Sequence, residues 1–278
     1  MYKLEGKVAL VTGAGGEKGI GRAIALRLAA EGAELVVNDV VENPYPGNPS
    51  GWQGLPSLVR QIEGLGRQVL SVVADVSVAA QVEAMVQRGV ERFGRLDILV
   101  ANAGSRPGRD RVPIVELEEE DWDAVQRING KGTYLCCRAA ARQLIAQGQG
   151  GKIITLSSSA GKVGMARFGA YCASKFAVVG LTQCLALELA PHHINVNAIC
   201  PDTVDTERTA YIAAILAPQG VKGEEYHREM VRRKAEAIPL GRVPTTEDIA
   251  RTAAFLASAE SDFLTGLAIS VSGGLVMH

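Results

Sequence analysis

Short apolar runs alternate along this chain with longer segments whose apolar residues recur every three to four positions. That alternation predicts strands and helices in turn from one end to the other. The runs 7–12 (KVALVT), 34–39 (ELVVND), 68–74 (QVLSVVA), 97–101 (DILVA), 152–156 (KIITL), 194–199 (INVNAI) and 267–271 (LAISV) read as strands. They are continuously apolar rather than alternating, which is the pattern of a parallel sheet covered on both faces. Helical spacing occupies 19–31, 55–65, 79–93, 118–147, 171–190 and 245–258, the last opening on Thr245-Thr246-Glu247-Asp248, which resembles a capping box. The pattern predicts an α/β fold, a doubly wound parallel sheet of about seven strands with helices on both faces.

Two stretches stand outside this rhythm. Residues 43–54 (NPYPGNPSGWQG) hold three prolines and three glycines, so they cannot be regular helix or central strand. Residues 203–240 are long, charged and helical in pattern, between the sixth strand and the last helix. No repeat and no linker divides the rest, so one domain spanning 1–278 is expected.

Composition narrows the function classes. Of 278 residues 29 are basic and 30 acidic, a formal net charge of −1, so a general nucleic-acid or membrane-surface role has no electrostatic footprint. No run is expected to cross a membrane, and the first residues lead straight into a strand without a signal-peptide pattern. Five cysteines, at 136, 137, 172, 184 and 200, form no C-x-x-C pair and read as buried free thiols, which makes the cytosol the default compartment. The histidines at 192, 193, 227 and 278 lack ligand spacing, so no metal is expected.

The candidate chemistry begins after the first strand. Thr12-Gly13-Ala14-Gly15-Gly16-Glu17-Lys18-Gly19-Ile20-Gly21 opens a helix, and glycines there permit a tight turn and close approach of backbone to a pyrophosphate on the positive helix end. Asp39, 18 residues after Gly21 at the end of the second strand, is placed to accept hydrogen bonds from a ribose diol. Farther on, Tyr171 and Lys175 stand four residues apart and share one helix face. A phenol beside a fixed ammonium deprotonates more readily and can trade a proton with an alcohol or carbonyl.

With these motifs in order, the chain resembles the short-chain dehydrogenase/reductase family over nearly its whole length. Further matches are Asp75-Val76 after the third strand, Ala101-Asn102-Ala103-Gly104 after the fourth, and Asn129 in the long helix. Ser158 lies 13 residues before Tyr171, and Pro201-Asp202-Thr203-Val204-Asp205-Thr206 follows the sixth strand. The resemblance implies a Rossmann-type fold and NAD(P)-linked interconversion of an alcohol and a ketone. It implies a catalytic set of Asn129, Ser158, Tyr171 and Lys175: Ser158 holds the substrate oxygen, Tyr171 exchanges its proton, Lys175 lowers the Tyr pKa and binds the nicotinamide ribose, and Asn129 holds a relay water. The implied cofactor contacts are Gly13, Gly15, Gly19, Ile20 and Gly21 at the loop and Asp39 at the adenosine ribose. Asp75, Val76, Asn102, Ala103 and Gly104 follow along the sheet, with Tyr171, Lys175, Pro201, Val204 and Thr206 at the nicotinamide end. The family also implies a homotetramer or homodimer paired through 118–147, 171–190 and the last strand.

Departures from the family pattern set the open questions. Five residues rather than three separate Gly13 from Gly19, so either Gly15 takes the turn position or Gly13 does and the loop bulges. Lys18 would favour a 2′-phosphate, whereas Asp39 would repel it, and the expected cofactor is NAD(H) with NADP(H) still open. Asp202 stands where the family has glycine; tolerance of a turn is the expectation, contact with substrate or cofactor the alternative. The 43–54 stretch either folds over the adenosine end or hangs as a surface loop. Arg106, Arg109, Arg111 and Arg167 lie in substrate-facing loops and could serve a carboxylated or phosphorylated substrate, although polar-loop arginines more often lie in solvent. The expected substrate is a polyol, diol or hydroxy-ketone, with 3-oxoacyl-thioester reduction as the alternative and a non-catalytic nucleotide-sensing module as the rival outside enzymes.

Overall fold

The first six strands of the sheet feed two cores at once, while the seventh packs on one of them. In β1 (Val8–Val11), Ala9 and Val11 enter one apolar cluster while Val8 and Leu10 enter the other, because successive side chains point to opposite faces. The computed structural model describes residues 2–44, 46–47 and 50–278, and within them seven parallel strands form one sheet in the order β3-β2-β1-β4-β5-β6-β7. The others are β2 (Glu34–Asp39), β3 (Val69–Val73), β4 (Ile98–Ala101), β5 (Gly151–Leu156), β6 (Ile194–Pro201) and β7 (Ala268–Val271). Helices α1 (Ile20–Ala30), α2 (Leu55–Gly64) and α9 (Thr246–Ala257) cover the first core with Ile24, Leu28, Leu58 and Ile249. On the other face α3 (Ala79–Phe93), α5 (Thr133–Gln147) and α6 (Gly169–Leu189) supply Met85, Leu144 and Leu189. A buried leucine such as Leu28, 0% exposed, contributes roughly 1.5–3 kcal/mol, so truncation to alanine would strike the fold rather than the site.

Register places the functional loops. β1 pairs with both β2 and β4, so the chain reverses its direction of winding between β1 and β4. The loops after those two strands therefore open side by side at the carboxyl end of the sheet, where open α/β sheets form a crevice.

Three features depart from the sequence expectations, and one stretch follows them. The helix foreseen over 118–147 is α4 (Glu119–Val125), one π-helical stretch (Gln126–Gly132) and α5; the widened turns contain Asn129, Gly130 and Gly132. Helix α6 is by length and composition apolar enough to cross a membrane, with mean hydropathy 1.3, contrary to the expectation that no run is. The reason is packing: its inner face lies on β6, while its outer face carries exposed Phe176 and Leu187. Cys184 on that outer face is exposed, whereas the other four cysteines are buried as expected. The 203–240 stretch is the helical pair α7 (Glu207–Leu216) and α8 (Gly223–Ala237), packed on each other above the crevice.

Candidate active site

A cleft of about 670 Å³ runs along the carboxyl ends of β2, β1, β4, β5 and β6. At one end lies the glycine loop. Gly13 has φ of +67°, and a side chain there would meet the Ala103 backbone at 2.8 Å, so Gly13 takes the turn position and the residues after it bulge. A Cβ on Gly21 would lie 2.4 Å from the Gly13 carbonyl, which explains the bare backbone where α1 passes under the loop. Gly13, Gly16, Gly19 and Ile20 line the cleft; Gly15 and Gly21 do not. The Gly15 N–H instead donates to Asp39 Oδ2 at 2.9 Å.

Asp39 closes β2 and lines the cleft. Its second oxygen accepts the Val40 N–H at 2.8 Å. Burial raises its pKa above the ordinary carboxylate value, against the pull of these two N–H groups and of Arg106. Lys18 is exposed and does not line the cleft; its N–H donates to Glu207 Oε1 at 2.5 Å. Asp75 and Val76 line the wall beside β3, and Ser77 N–H donates to Asp75 Oδ1 at 2.8 Å.

The described residues of the 43–54 stretch fold down on this end; Tyr45, Asn48 and Pro49 lie outside them. Pro44 lines the cleft, and the Trp52 indole N–H donates to the Gly15 carbonyl at 2.8 Å. Arg22 stacks on the Trp52 ring at 5.1 Å, and Arg106 donates to the Pro44 carbonyl from the loop after β4. The residues Asn102, Ala103 and Gly104 form the floor, where Asn102 Nδ2 donates to the carbonyls of Thr12 at 2.7 Å and Gly13 at 2.9 Å.

At the other end stand Ser158, Tyr171 and Lys175, all lining the cleft. Helix α6 presents Tyr171 and Lys175 on its inner face, with the Lys175 Nζ 5.8 Å from the phenol ring centroid and donating to the Leu156 carbonyl at 2.6 Å. Ser158 follows β5 beside Tyr171, where its Oγ accepts the Ala160 N–H at 3.2 Å and faces the Pro201 carbonyl at 3.5 Å. Burial pushes the Tyr171 pKa up, but the charges of Lys175, Arg208 and Arg111 and the Ser158 hydroxyl outweigh it, and the net shift is downward. Burial lowers the Lys175 pKa, against the opposing pull of Tyr171. Pro201, Val204 and Thr206 line the roof, where Thr206 caps α7.

Asn129 is not in the cleft wall. Its fully buried side chain donates to Ser174 Oγ at 2.9 Å and accepts the Ser105 N–H at 2.8 Å. It thereby ties the loop after β4 to α6.

Two residues singled out in the sequence, Arg111 and Asp202, take places that it did not show, and a third, Arg208, went unread. Arg111, expected in solvent, is 1% exposed, paired with Asp110 and stacked 4.9 Å from the Tyr171 ring. Arg208, in the first turn of α7, lies 5.2 Å from the same ring. Asp202 does not have the left-handed backbone that would call for glycine; it is buried, with its carboxylate 3.1 Å from Lys234 of α8. A charge standing in the glycine's place before a charged helix was the available signal for that tether.

The model of a family described as enoyl-(acyl carrier protein) reductase matches residues 13–276. A short-chain dehydrogenase/reductase of Armillaria gallica is 41% identical over 98% of this chain and 97% of its own. The 2-dehydro-3-deoxy-D-gluconate 5-dehydrogenase of Escherichia coli is 38% identical over 98% of this chain and 96% of its own, and the galactitol 2-dehydrogenase of Agrobacterium fabrum 38% over 98% of each. Among solved structures, carveol dehydrogenase of Mycobacterium avium in complex with NAD superposes with a TM-score of 0.87 at 31% identity, over 99% of both chains.

Proposed function

This chain belongs to the short-chain dehydrogenase/reductase family, and we propose that it uses NAD(H) to interconvert a secondary alcohol of the polyol, diol or hydroxy-ketone type with its ketone. The observation that carries the reading is the junction in one cleft of Ser158, Tyr171 and Lys175 with a loop whose glycines leave backbone bare. Relatives named for galactitol and for a sugar acid support the substrate class, and the NAD-bound relative supports the cofactor.

The residues fit a dinucleotide. Side chains on Gly13 and Gly21 would fill the loop, and Asp39 offers the remaining lone pairs of its carboxylate to a ribose diol. Asp39 lines the cleft and Lys18 does not, which favours NAD(H) over NADP(H), because a carboxylate repels a 2′-phosphate. When bound, the nicotinamide gives or takes the hydride. Ser158 holds the reacting oxygen and Tyr171 exchanges its proton. Lys175, held by the Leu156 carbonyl, keeps the phenol acidic. Asn129 acts as a positioning residue that fixes the Ser105 loop against α6.

The exposed apolar side chains Phe176 and Leu187 on α6 and Tyr134 and Ile145 on α5 support pairing of subunits, as a homotetramer or homodimer. The buried free thiols fit a reducing compartment, the cytosol. A screen of polyols, diols and hydroxy-ketones followed by NADH absorbance tests the assignment. Turnover abolished in Tyr171→Phe with NADH binding retained is the expected result. NADH binding by the wild type without turnover on any alcohol or ketone would instead leave a nucleotide-sensing module.

A further inference from the structure

Arg208 sits at the chemical end of the cleft without a carboxylate partner among the described residues. Its Nη1 donates to the Ser105 carbonyl, and its Nη2 is buried with no hydrogen-bond partner. The neighbouring acids pair with other groups: Glu207 accepts the Lys18 N–H at 2.5 Å, and Asp202 takes Lys234 at 3.1 Å and the Thr203 N–H at 2.5 Å, both on Oδ1, while its Oδ2 is buried without a partner. Arg111, on the opposite loop, is balanced by Asp110 but keeps its Nε buried and unpartnered. Around one phenol there are thus three cations, Lys175, Arg111 and Arg208, against the single carboxylate of Asp110. Ionising Tyr171 would offset only part of that excess.

Arg111 is buried, and Arg208 is partly buried with its Nη2 out of water; a guanidinium group held away from water is costly unless an anion joins it. Both arginines line the cleft beside Tyr171, with Met165, Phe168 and Ile212 as apolar wall. The phosphates of a dinucleotide belong at the glycine loop and the start of α1, whereas Arg208 and Arg111 flank the proton-exchanging group. A guanidinium fork matches a carboxylate with two parallel hydrogen bonds.

We propose that Arg208, with Arg111 beside it, receives a carboxylate carried by the substrate, so that the alcohol oxidised here is a hydroxy acid. This rests on the oxidoreductase reading above and narrows it. Arg208 then does two things: it selects the acid and, through its charge, eases ionisation of Tyr171.

The experiment compares matched acid and alditol pairs with NAD+: D-gluconate with D-glucitol, D-galactonate with galactitol, and D-xylonate with xylitol. Wild type should favour the acid of its best pair by about tenfold or more in kcat/KM. Arg208→Met should lose about 10- to 100-fold more with the acid than with the alditol, chiefly in KM, the effect of removing a charge-assisted hydrogen bond. Arg208→Lys should recover part of that loss. The acid should raise the Tm of NAD+-loaded wild type but not of Arg208→Met. The methionine variant should bind NADH with a Kd within about twofold of wild type, and its pH–rate limb should move to higher pH. Preference for the alditol, equal losses on both members, or a rise in NADH Kd matching the kinetic loss would overturn the proposal, the last by assigning Arg208 to the cofactor phosphates. Wild type that binds NADH and turns over no member of any pair, nor any neutral alcohol, would overturn the oxidoreductase reading itself and this proposal with it.

Discussion

At one end of the cleft the carboxylates of Asp39 and Asp75 lie beside the ends of β2 and β3; at the other, Lys175, Arg111 and Arg208 converge on the ring of Tyr171. The two ends share a sheet and a crevice but are assembled differently. The acidic end is made from the carboxyl ends of neighbouring strands β1, β2 and β3, and its carboxylates are held by backbone N–H groups, those of Gly15 and Val40 on Asp39 and that of Ser77 on Asp75. The basic end is collected from three distant segments, the loop after β4, helix α6 and the first turn of α7. An acid accepting N–H bonds can go on to accept hydroxyl donors, which is a binding task. Cations packed around a phenol change its proton affinity, which is a chemical task. In the proposed function the difference between the ends is a division between holding and reacting.

The strongest way to break that division is Tyr171→Phe. Removal of a positioned acid–base group should lower kcat by about 10²- to 10⁴-fold. NADH binding, followed by fluorescence, should persist, because the acidic end is untouched. Loss of both together would mean that the ends are not separable. Next in size, Asp39→Ser should move the ratio of kcat/KM for NADP+ over NAD+ upward by about 10- to 100-fold. A unit charge pair at 4 Å is worth at most about 4 kcal/mol at an effective dielectric of 20, nearly three decades. A wild type that already prefers NADPH would defeat the placement of Asp39.

A pH profile sharpens the same contrast. In the proposed reaction, alcohol oxidation draws on the Tyr171 phenolate, so its rate should rise with pH, with a midpoint below the ordinary phenol value of about 10. Ser158→Ala removes a hydroxyl that favours the anion and should move the midpoint upward. In the opposite sense, the Asp39 pKa is raised, so its carboxylate is neutralised at a higher pH than an ordinary Asp. Discrimination against NADP+ should therefore weaken as pH falls through that value, with kcat of the phenol step responding separately.

How much of this could be read from the chain follows from the same division. The acidic end was legible because Gly13, Asp39 and Asn102 stand at the ends of strongly apolar strands, and their spacing is set by the elements between them. Tyr171 and Lys175 were legible because four residues on one helix make a geometric statement. The π-helical stretch was not, since apolar periodicity persists through it; the signal on offer was Gly130 and Gly132 beside Asn129. Arg111 looked like any polar-loop arginine, because only tertiary packing puts its guanidinium 4.4 Å from the Phe168 ring and 4.9 Å from that of Tyr171. Arg208 opens a charged helix, and nothing near it in the chain says that Tyr171 lies across from it. The choice between Gly13 and Gly15 for the turn needed the backbone angle itself.

The smallest effect concerns what covers the acidic end. Trp52 donates to the Gly15 carbonyl at 2.8 Å and carries Arg22 on its ring, so the stretch around Trp52 leans on the residue whose N–H engages Asp39. Loosening that contact should let the glycine loop and Asp39 move together, which speeds release of the dinucleotide without touching proton exchange. Trp52→Ala should raise the NADH dissociation rate by about 3- to 10-fold, the range of one hydrogen bond. Trp52→Phe, which loses the indole N–H but keeps a ring for Arg22, should fall between. Stopped-flow displacement of NADH measures both, and single-turnover hydride transfer should keep its rate. If dissociation is unchanged in both variants, the stretch is a surface ornament and the acidic end holds its cofactor without help. If hydride transfer slows as much as release quickens, the two ends are mechanically coupled and the division between holding and reacting does not survive.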